Sequence, residues 1–149
     1  MKITEALVAE HTIFLGVFDQ IERVLPSLTT PVEVMTMARI VEGLLEGHAK
    51  AETNLAYLAL DHVQEHNGEL KNMHQDHHEI DDRLRQVHTA NTCARARRLL
   101  KVAIKVSREH FRAEERSVFP LLEKVLQEET LTELGQSWMQ RQATLASRT

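Results

Sequence analysis

The sequence contains one histidine–glutamate pattern twice. The segment that begins at His48 reads HAKAETNLAYLAL, and the segment that begins at His110, 62 residues later, reads HFRAEERSVFPLL. In both segments a glutamate follows the histidine by four residues, and an aromatic residue follows the glutamate by five. Residues four apart on an α-helix lie on the same face. Each segment therefore places an imidazole and a carboxylate side by side, where both can ligate one metal ion.

Helices must position these pairs. Apolar residues recur at intervals of three and four, and only three prolines and five glycines interrupt the chain, which predicts helices throughout. The predicted helices cover residues 3–25, 32–60, 69–89, 92–127 and 131–146. We expect Thr92 to be an N-cap and Pro120 to kink or break the fourth helix. Four long antiparallel helices with short turns predict an all-α fold, an up-down-up-down four-helix bundle with an additional short C-terminal helix, in a single domain of residues 1–149.

The predicted inward faces contain further polar residues. The apolar stripes of helices 1 and 3 each include a histidine, His11 and His77, while helices 2 and 4 contribute the two histidine–glutamate pairs. With a rise of about 1.5 Å per residue, the four helices bring these groups close to one level. Tyr57 is expected to point away from Glu52, so the sequence does not suggest a tyrosine beside the site.

A metal site explains these inward polar groups best. One histidine on an apolar face is usually a core residue, but buried carboxylates without partners are costly. A cation accepts all the groups at once. The candidate ligands are His11, His48, Glu52, His77, His110 and Glu114. Six groups exceed what one tetrahedral zinc accepts, so two ions are expected. Imidazole and carboxylate without thiolate favour iron, with manganese and zinc as alternatives.

Composition excludes several other classes of protein. The net charge of −4 gives no electrostatic footprint for nucleic acid. We expect neither a signal peptide nor a membrane span. A lone cysteine, Cys93, excludes an internal disulfide and suits a reducing compartment, so the expected location is cytoplasmic. The Glu-x-x-His motif of ferritin-type bundles and the His-Glu-x-x-His motif of zinc proteases are both missing from the sequence.

The sequence resembles the hemerythrin-like (HHE cation-binding) family over about residues 3 to 127. The resemblance rests on the following segments: Glu10-His11, His48-x3-Glu52, Met73-x2-Asp76-His77, and His110-x3-Glu114 with Phe119-Pro120. It implies a four-helix bundle with a non-haem di-iron centre. By the resemblance, Glu52 and Glu114 would bridge the irons, His11 and His48 would be terminal ligands of one iron, and His77 and His110 of the other.

Helix 3 departs from the oxygen-carrying hemerythrins. Those proteins have His-x3-His on this helix, but the residue four before His77 is Met73. His74, on the flank of the inward stripe, is an alternative ligand. Without it, one iron keeps an open or water-filled position.

The expected function is binding or sensing of a small ligand, O2 first, with peroxide or NO next. We expect a metal- and oxygen-binding protein rather than an enzyme. The alternatives are a di-iron oxidase, peroxidase or nitric-oxide-handling enzyme, which turnover would reveal, and an iron storage or donor protein, which iron stoichiometry would reveal. The expected partners are the small ligand and either a second copy of the chain or a separate protein, with no nucleic acid and no membrane.

Overall fold

A computed structural model of the chain describes residues 1–63 and 67–146. Every regular element within these residues is helical, so the predicted all-α class is confirmed. In chain order the helices are α1 (Ile3–Val24), α2 (Pro31–Ala51), α3 (Leu58–Val63), α4 (Asn67–His88), α5 (Cys93–Ala113), α6 (Phe119–Val125) and α7 (Glu128–Ala146). Among the described helices, none has the length and apolar character needed to cross a membrane.

Local capping explains where two of the long helices begin. At the start of α2, Thr30 accepts a hydrogen bond from the backbone N–H of Glu33, whose carboxylate accepts the backbone N–H of Thr30 at 2.8 Å. This reciprocal pair satisfies two N–H groups that the first turn of a helix leaves free. At the start of α5, Thr92 accepts the N–H of Arg95 at 3.2 Å. The prediction of Thr92 as an N-cap is confirmed.

A π-helical turn follows each histidine of the repeat. One covers Glu52–Tyr57 between α2 and α3, and the other covers Glu114–Val118 between α5 and α6. The prediction of an uninterrupted second helix was wrong at this point. In the fourth helix the expected break lies before Pro120 rather than at it. A π turn closes with i→i+5 hydrogen bonds, as between Phe119 N–H and the carbonyl of Glu114. Residues after it are therefore rotated relative to a continuous α-helix.

Two apolar clusters fill the interior, and the polar candidate residues lie between them. In α1, Leu7 belongs to one cluster and Phe14 to the other, with His11 between the two. In α4, Met73 and Ile80 flank His77 in the same way. The helices thus bury an apolar layer above and below one polar level, which fixes the height of the site.

The C-terminal helix α7 packs mainly against α1. It begins at Glu128, three residues before the predicted start at residue 131. Leu131 is 1% exposed and joins the apolar cluster that contains Leu7. A Cβ atom at Gly135 would collide with the backbone carbonyl oxygen of Met1. A glycine therefore permits the close approach of α7 to the N-terminus.

Candidate metal centre

The structure brings all six predicted ligands together in the interior. Their ligating atoms form two groups in which all atoms lie within 4.8 Å of one another. The groups are His11, His48, Glu52 and Glu114, and Glu52, His77 and His110. Five of the six residues are 0% to 2% exposed, and the side chain of His77 is 16% exposed. Because Glu52 belongs to both groups, it lies between two candidate cation positions.

The first group faces inward through the Nε2 atoms of its histidines. Nε2 of His11 lies 2.9 Å from Nε2 of His48. The Nε2 atom of His48 is also 2.8 Å from Oε1 of Glu52, and that of His11 is 3.4 Å from Oε2 of Glu114. Two imidazole nitrogens and two carboxylates therefore converge on one point.

The second group uses the other oxygen of Glu52. Nε2 of His77 lies 3.2 Å from Oε2 of Glu52, and the rings of His77 and His110 have centroids 4.5 Å apart. Nε2 of His110 is 3.5 Å from Oε2 of Glu114. The two glutamates thus lie between the pair of histidines from α1 and α2 and the pair from α4 and α5.

Three outer carboxylates hold the opposite nitrogens of three histidines. Nδ1 of His11 lies 2.8 Å from Glu115. Nδ1 of His48 lies 2.9 Å from Glu10, and Nδ1 of His110 lies 3.2 Å from Asp76. A carboxylate at Nδ1 fixes the proton there, orients the ring and leaves Nε2 as a lone pair. Histidines that ligate metals in proteins almost always have such a partner.

This donor set fits a cation. When the histidines carry their protons at Nδ1, their Nε2 atoms cannot donate to the glutamates. Four buried side-chain atoms within the described part of the chain then have no hydrogen-bond partner: Glu52 Oε1, Glu52 Oε2, His110 Nε2 and Glu114 Oε2. All four belong to candidate ligands of the two groups. An unsatisfied buried polar atom costs about 1–3 kcal/mol, and more when it is charged. With Nδ1 of His11 and of His48 each protonated, their Nε2 lone pairs would repel at 2.9 Å. A cation removes all of these costs.

The pKa values of these groups are set by burial and by the charges of the neighbouring site residues. Burial raises the pKa of Glu52, but the nearby histidines outweigh burial and bring that pKa well below its usual range. Burial also lowers the pKa of His11 and of His48, yet the surrounding carboxylates raise the two values to about 9 and about 10. Burial and the charge of Glu52 together raise the pKa of Glu114. Without a metal, protons on the histidines balance the carboxylates.

Tyr57 lies inside the site, contrary to the prediction that it points away from Glu52. It is 1% exposed, and its hydroxyl donates a hydrogen bond to Oε1 of Glu114. Burial and the two glutamates raise the pKa of Tyr57, so the phenol keeps its proton. The π turn is the physical reason, since it brings the fifth residue after Glu52 back towards the face of Glu52. Phe119 occupies the matching position of the second repeat and stacks on His11 with centroids 5.6 Å apart.

Aromatic rings shield the first group from water. Phe111 stacks on His11 with ring centroids 4.0 Å apart, and Phe14 meets the ring of His48 edge-on at 5.1 Å. Such rings restrict the motion of the imidazoles and exclude solvent from their ligating face. Electrostatic interactions at the site are stronger as a result.

His74 lies beside the site but outside both groups. Its ring is half-buried, with its centroid 6.5 Å from that of His77 and 5.4 Å from that of Tyr57. Burial lowers the pKa of His74. Met73 is 7% exposed and belongs to the apolar core. His74 thus lies near the site without joining either group, and its role as a ligand stays a prediction.

The three outer carboxylates were not predicted to have a role. The sequence contains a local signal for two of them, because Glu10 and Asp76 each directly precede a site histidine. In the structure, however, each of these carboxylates contacts a histidine on another helix. Glu10 contacts His48 rather than its neighbour in sequence, and Asp76 contacts His110. These two contacts follow the repeat of the sequence. Glu115 has no such counterpart, because the matching residue of the first repeat is Thr53.

The fold and the site define a class of helical proteins with a buried cation site made of histidine and glutamate. Within that class, the chain belongs to the Hemerythrin HHE cation binding domain family, which matches residues 2–122. The predicted resemblance is thereby confirmed. No curated protein and no solved structure matches the chain. Helix α7 lies beyond the matched residues.

Proposed function

We propose that the centre holds two iron ions and binds a small ligand, O2 first, with peroxide or NO as alternatives. His11 and His48 would ligate one ion, His77 and His110 the other, and Glu52 and Glu114 both. The observation that carries the proposal is the set of four unpartnered, buried ligand atoms that face one another between two pairs of histidines. The match to a cation-binding family over residues 2–122, a range that contains all six groups, also supports the proposal.

The presence of two ions is supported by the sharing of Glu52. Its Oε1 lies near His48 and its Oε2 near His77, so its two oxygens face different pairs of histidines. One ion within reach of all six groups would need more ligands than the usual tetrahedral zinc accepts. Histidine and carboxylate without thiolate favour iron, although manganese and zinc also accept such ligands.

The size of the adjoining cavity supports a small ligand. A cavity of about 20 Å³, roughly the space for one water molecule, borders three of the candidate histidines, His48, His77 and His110. Its apolar wall includes Leu45, Ile80 and Phe111. Iron held here would supply an open coordination position and a change of oxidation state. The cavity therefore leaves room for only a very small molecule beside these histidines.

Metal analysis tests the site. Protein produced with ample iron should contain close to two irons per chain. Glu52→Ala should lose most of this iron, whereas His62→Ala, which changes an exposed histidine in α3, should keep it. A stoichiometry near zero in the unchanged protein, or a single zinc with the other groups unligated, contradicts the proposal.

Ligand binding is tested with the reduced, iron-loaded protein. Its visible absorption should change when air is admitted, and azide added to the oxidised protein should change it again. His74→Ala shows whether that residue ligates, since a ligand would alter the azide spectrum and weaken iron retention. A flanking His74 would leave both unchanged. A reduced protein that is inert to O2, azide and NO contradicts the ligand-binding function.

The position of Tyr57 supports a second candidate function, that of a di-iron oxidase or peroxidase. A buried phenol hydrogen-bonded to Glu114 is a possible source of an electron and a proton during turnover. Steady-state consumption of peroxide by the iron-loaded protein, lost in Tyr57→Phe, would favour the enzyme. Binding of O2 without turnover, unchanged in Tyr57→Phe, would favour the ligand-binding function.

We also propose that the four long helical segments form an up-down-up-down bundle within a single domain. Contacts between the two connecting turns support this arrangement. Cys93 Sγ donates to the carbonyl of Leu28 at 3.3 Å, and Arg97 donates to the carbonyl of Pro26 at 3.0 Å. The turn after α1 and the turn before α5 therefore lie at one end. The candidate ligands lie at a similar distance along each helix from that end.

A further inference from the structure

Glu10 links the candidate centre to the C-terminal helix. Its Oε2 atom lies 2.9 Å from Nδ1 of His48 and accepts the indole N–H of Trp138 at 3.3 Å. Its Oε1 atom accepts the side-chain amide of Gln142 at 3.0 Å. A continuous path of hydrogen bonds therefore runs from two side chains of α7 to a proposed metal ligand.

Glu10 is better shielded from water than the other outer carboxylates. Its side chain is 14% exposed, whereas those of Glu115 and Asp76 are 40% and 35% exposed. A carboxylate withdrawn from water needs protein donors to stay ionised. Trp138 and Gln142 supply two such donors, so their loss leaves the charge of Glu10 poorly satisfied.

The structure of α7 suits it to this role. Trp138 and Gln142 are four residues apart and therefore share one helix face. Near the other end of the helix, Leu131 is buried and Gly135 lies against the backbone of Met1. Packing of this part holds the helix in place independently of the contacts with Glu10. Helix α7 lies beyond the residues that the family matches.

We propose that α7 positions the metal centre, with Trp138 and Gln142 acting through Glu10 on His48. The inference rests on the proposed function. A fixed carboxylate at Nδ1 holds the imidazole in one orientation and makes Nε2 a better ligand. Docking of α7 therefore strengthens metal binding at the His48 side, and by thermodynamic reciprocity metal binding there strengthens the docking of α7. Trp138 and Gln142 are positioning residues and not ligands.

The double variant Trp138→Phe/Gln142→Leu tests the proposal. It removes both N–H donors but keeps an aromatic ring and a side chain of similar size. Fe²⁺ affinity is measured without oxygen, by competition with a coloured chelator. Loss of a group that is hydrogen-bonded to a metal ligand, as Glu10 is, typically weakens metal binding about 10–100-fold. The double variant removes the donors to Glu10, so we expect a weakening of up to this size for one of the two ions. The control is Gln136→Leu, the same chemical change at an exposed position of the same helix, which should bind both ions as tightly as the unchanged protein.

Fluorescence gives a readout that a purely structural role would not affect. Trp138 is the single tryptophan of the chain, so all tryptophan fluorescence comes from the residue that donates to Glu10. Zn²⁺ is closed-shell, and its binding should change this emission through His48 and Glu10. In Glu10→Gln, which replaces the carboxylate by an amide, the change should be much smaller. Circular dichroism of the metal-free proteins shows whether each variant keeps its helix content, and Gln142→Leu alone carries the test if the double variant does not fold.

The outcomes separate this inference from the proposed function. If the unchanged protein binds two Fe²⁺ ions and the double variant binds them as tightly as Gln136→Leu does, α7 has no positioning role. If the double variant loses helix content and Gln142→Leu keeps it, a Gln142→Leu protein that binds both ions as tightly as Gln136→Leu also overturns the inference. If the unchanged protein binds no Fe²⁺ at all, the proposed function itself fails.

Discussion

At the scale of single residues, the site combines inner atoms without partners and outer atoms that are well paired. Nδ1 of His11, His48 and His110 each lies on a carboxylate, while several of the inner atoms that face the centre have no hydrogen bond. An interior arranged for its own stability would pair both sides. The unpaired inner atoms are therefore available to bind a cation, while the outer carboxylates hold the histidine rings in place.

Tyr57→Phe should destabilise the metal-free protein. The substitution keeps the ring but removes the hydroxyl that donates to Glu114, so a buried carboxylate oxygen loses its donor. Such a loss costs about 1–3 kcal/mol, measured as the free energy of unfolding in urea. Phe119→Leu, at the matching position of the repeat, removes packing but no hydrogen bond and serves as the comparison. An unchanged stability of Tyr57→Phe would mean that the phenol does not support Glu114.

At the scale of elements, two devices decide where side chains point. The π turns after Ala51 and after Ala113 rotate the following residues inward, and the caps at Thr30 and Thr92 set where two long helices begin. A π turn is rare, occurs mostly as a single turn within an α-helix, and is frequently found at functional sites. Both of the π turns here begin at a candidate ligand, which links the irregular backbone to the site.

Gly135→Ala should loosen α7. The added Cβ would collide with the carbonyl of Met1, and the cost of such overpacking, about 1–3 kcal/mol, exceeds the gain of about 1 kcal/mol from replacing glycine within a helix. Gly43→Ala is the matched control, since its Cβ meets nothing within 4 Å, and it should stabilise the protein slightly. Thermal unfolding distinguishes the two. A Gly135→Ala protein as stable as Gly43→Ala would show that α7 does not need this close approach.

The cap of α2 should make stability depend on pH. Backbone and side-chain hydrogen bonds from Thr30, with a further contribution from Thr29, lower the pKa of Glu33 below its model-compound value of 4.5. A depressed folded-state pKa means that the stabilisation is present above the unfolded value and is lost as pH falls through the folded one. Glu33→Gln should therefore be less stable than the unchanged protein at pH 7, and the difference should shrink in acid. Denaturation curves of both proteins, measured at pH 7 and in acid, check this expectation. A stability difference between the two proteins that does not change with pH contradicts it.

At the scale of the whole molecule, the centre joins all four long helical segments at one level between two apolar clusters. The contacts across this level are polar, and without a cation the two glutamates and four histidines satisfy one another incompletely. A metal bound here holds the four segments together at the point where apolar packing is interrupted. Metal content and global stability should therefore be coupled.

Removal of metal should lower the melting temperature. A ligand that binds only the folded state stabilises it by about 2.7 kcal/mol when its free concentration is 100 times Kd. Iron-loaded and chelator-treated protein are compared by calorimetry. Glu114→Ala should abolish most of the difference, whereas His62→Ala should retain it. Equal effects of the two substitutions would mean that the inward faces were wrongly assigned.

The sequence by itself determined the helical class, the inward faces of the helices up to the π turns, and the six groups that converge. These follow from the period of the α-helix, which acts locally and is visible in the spacing of His48 and Glu52. Their role as ligands stays a prediction. The sequence also predicts that His66 lies at a solvated turn between the second and third predicted helices, and this residue falls outside the described residues.

The tertiary structure alone decided which groups surround those six. Tyr57 faces Glu114 because a π turn shifts the helical register of the residues that follow Glu52. No residue type in that segment predicts such a turn. Glu10 supports His48, and α7 supports Glu10, because the packing of separate helices brings them within hydrogen-bond distance. Distances between helices depend on how side chains interdigitate across the core, which periodicity within one helix does not specify.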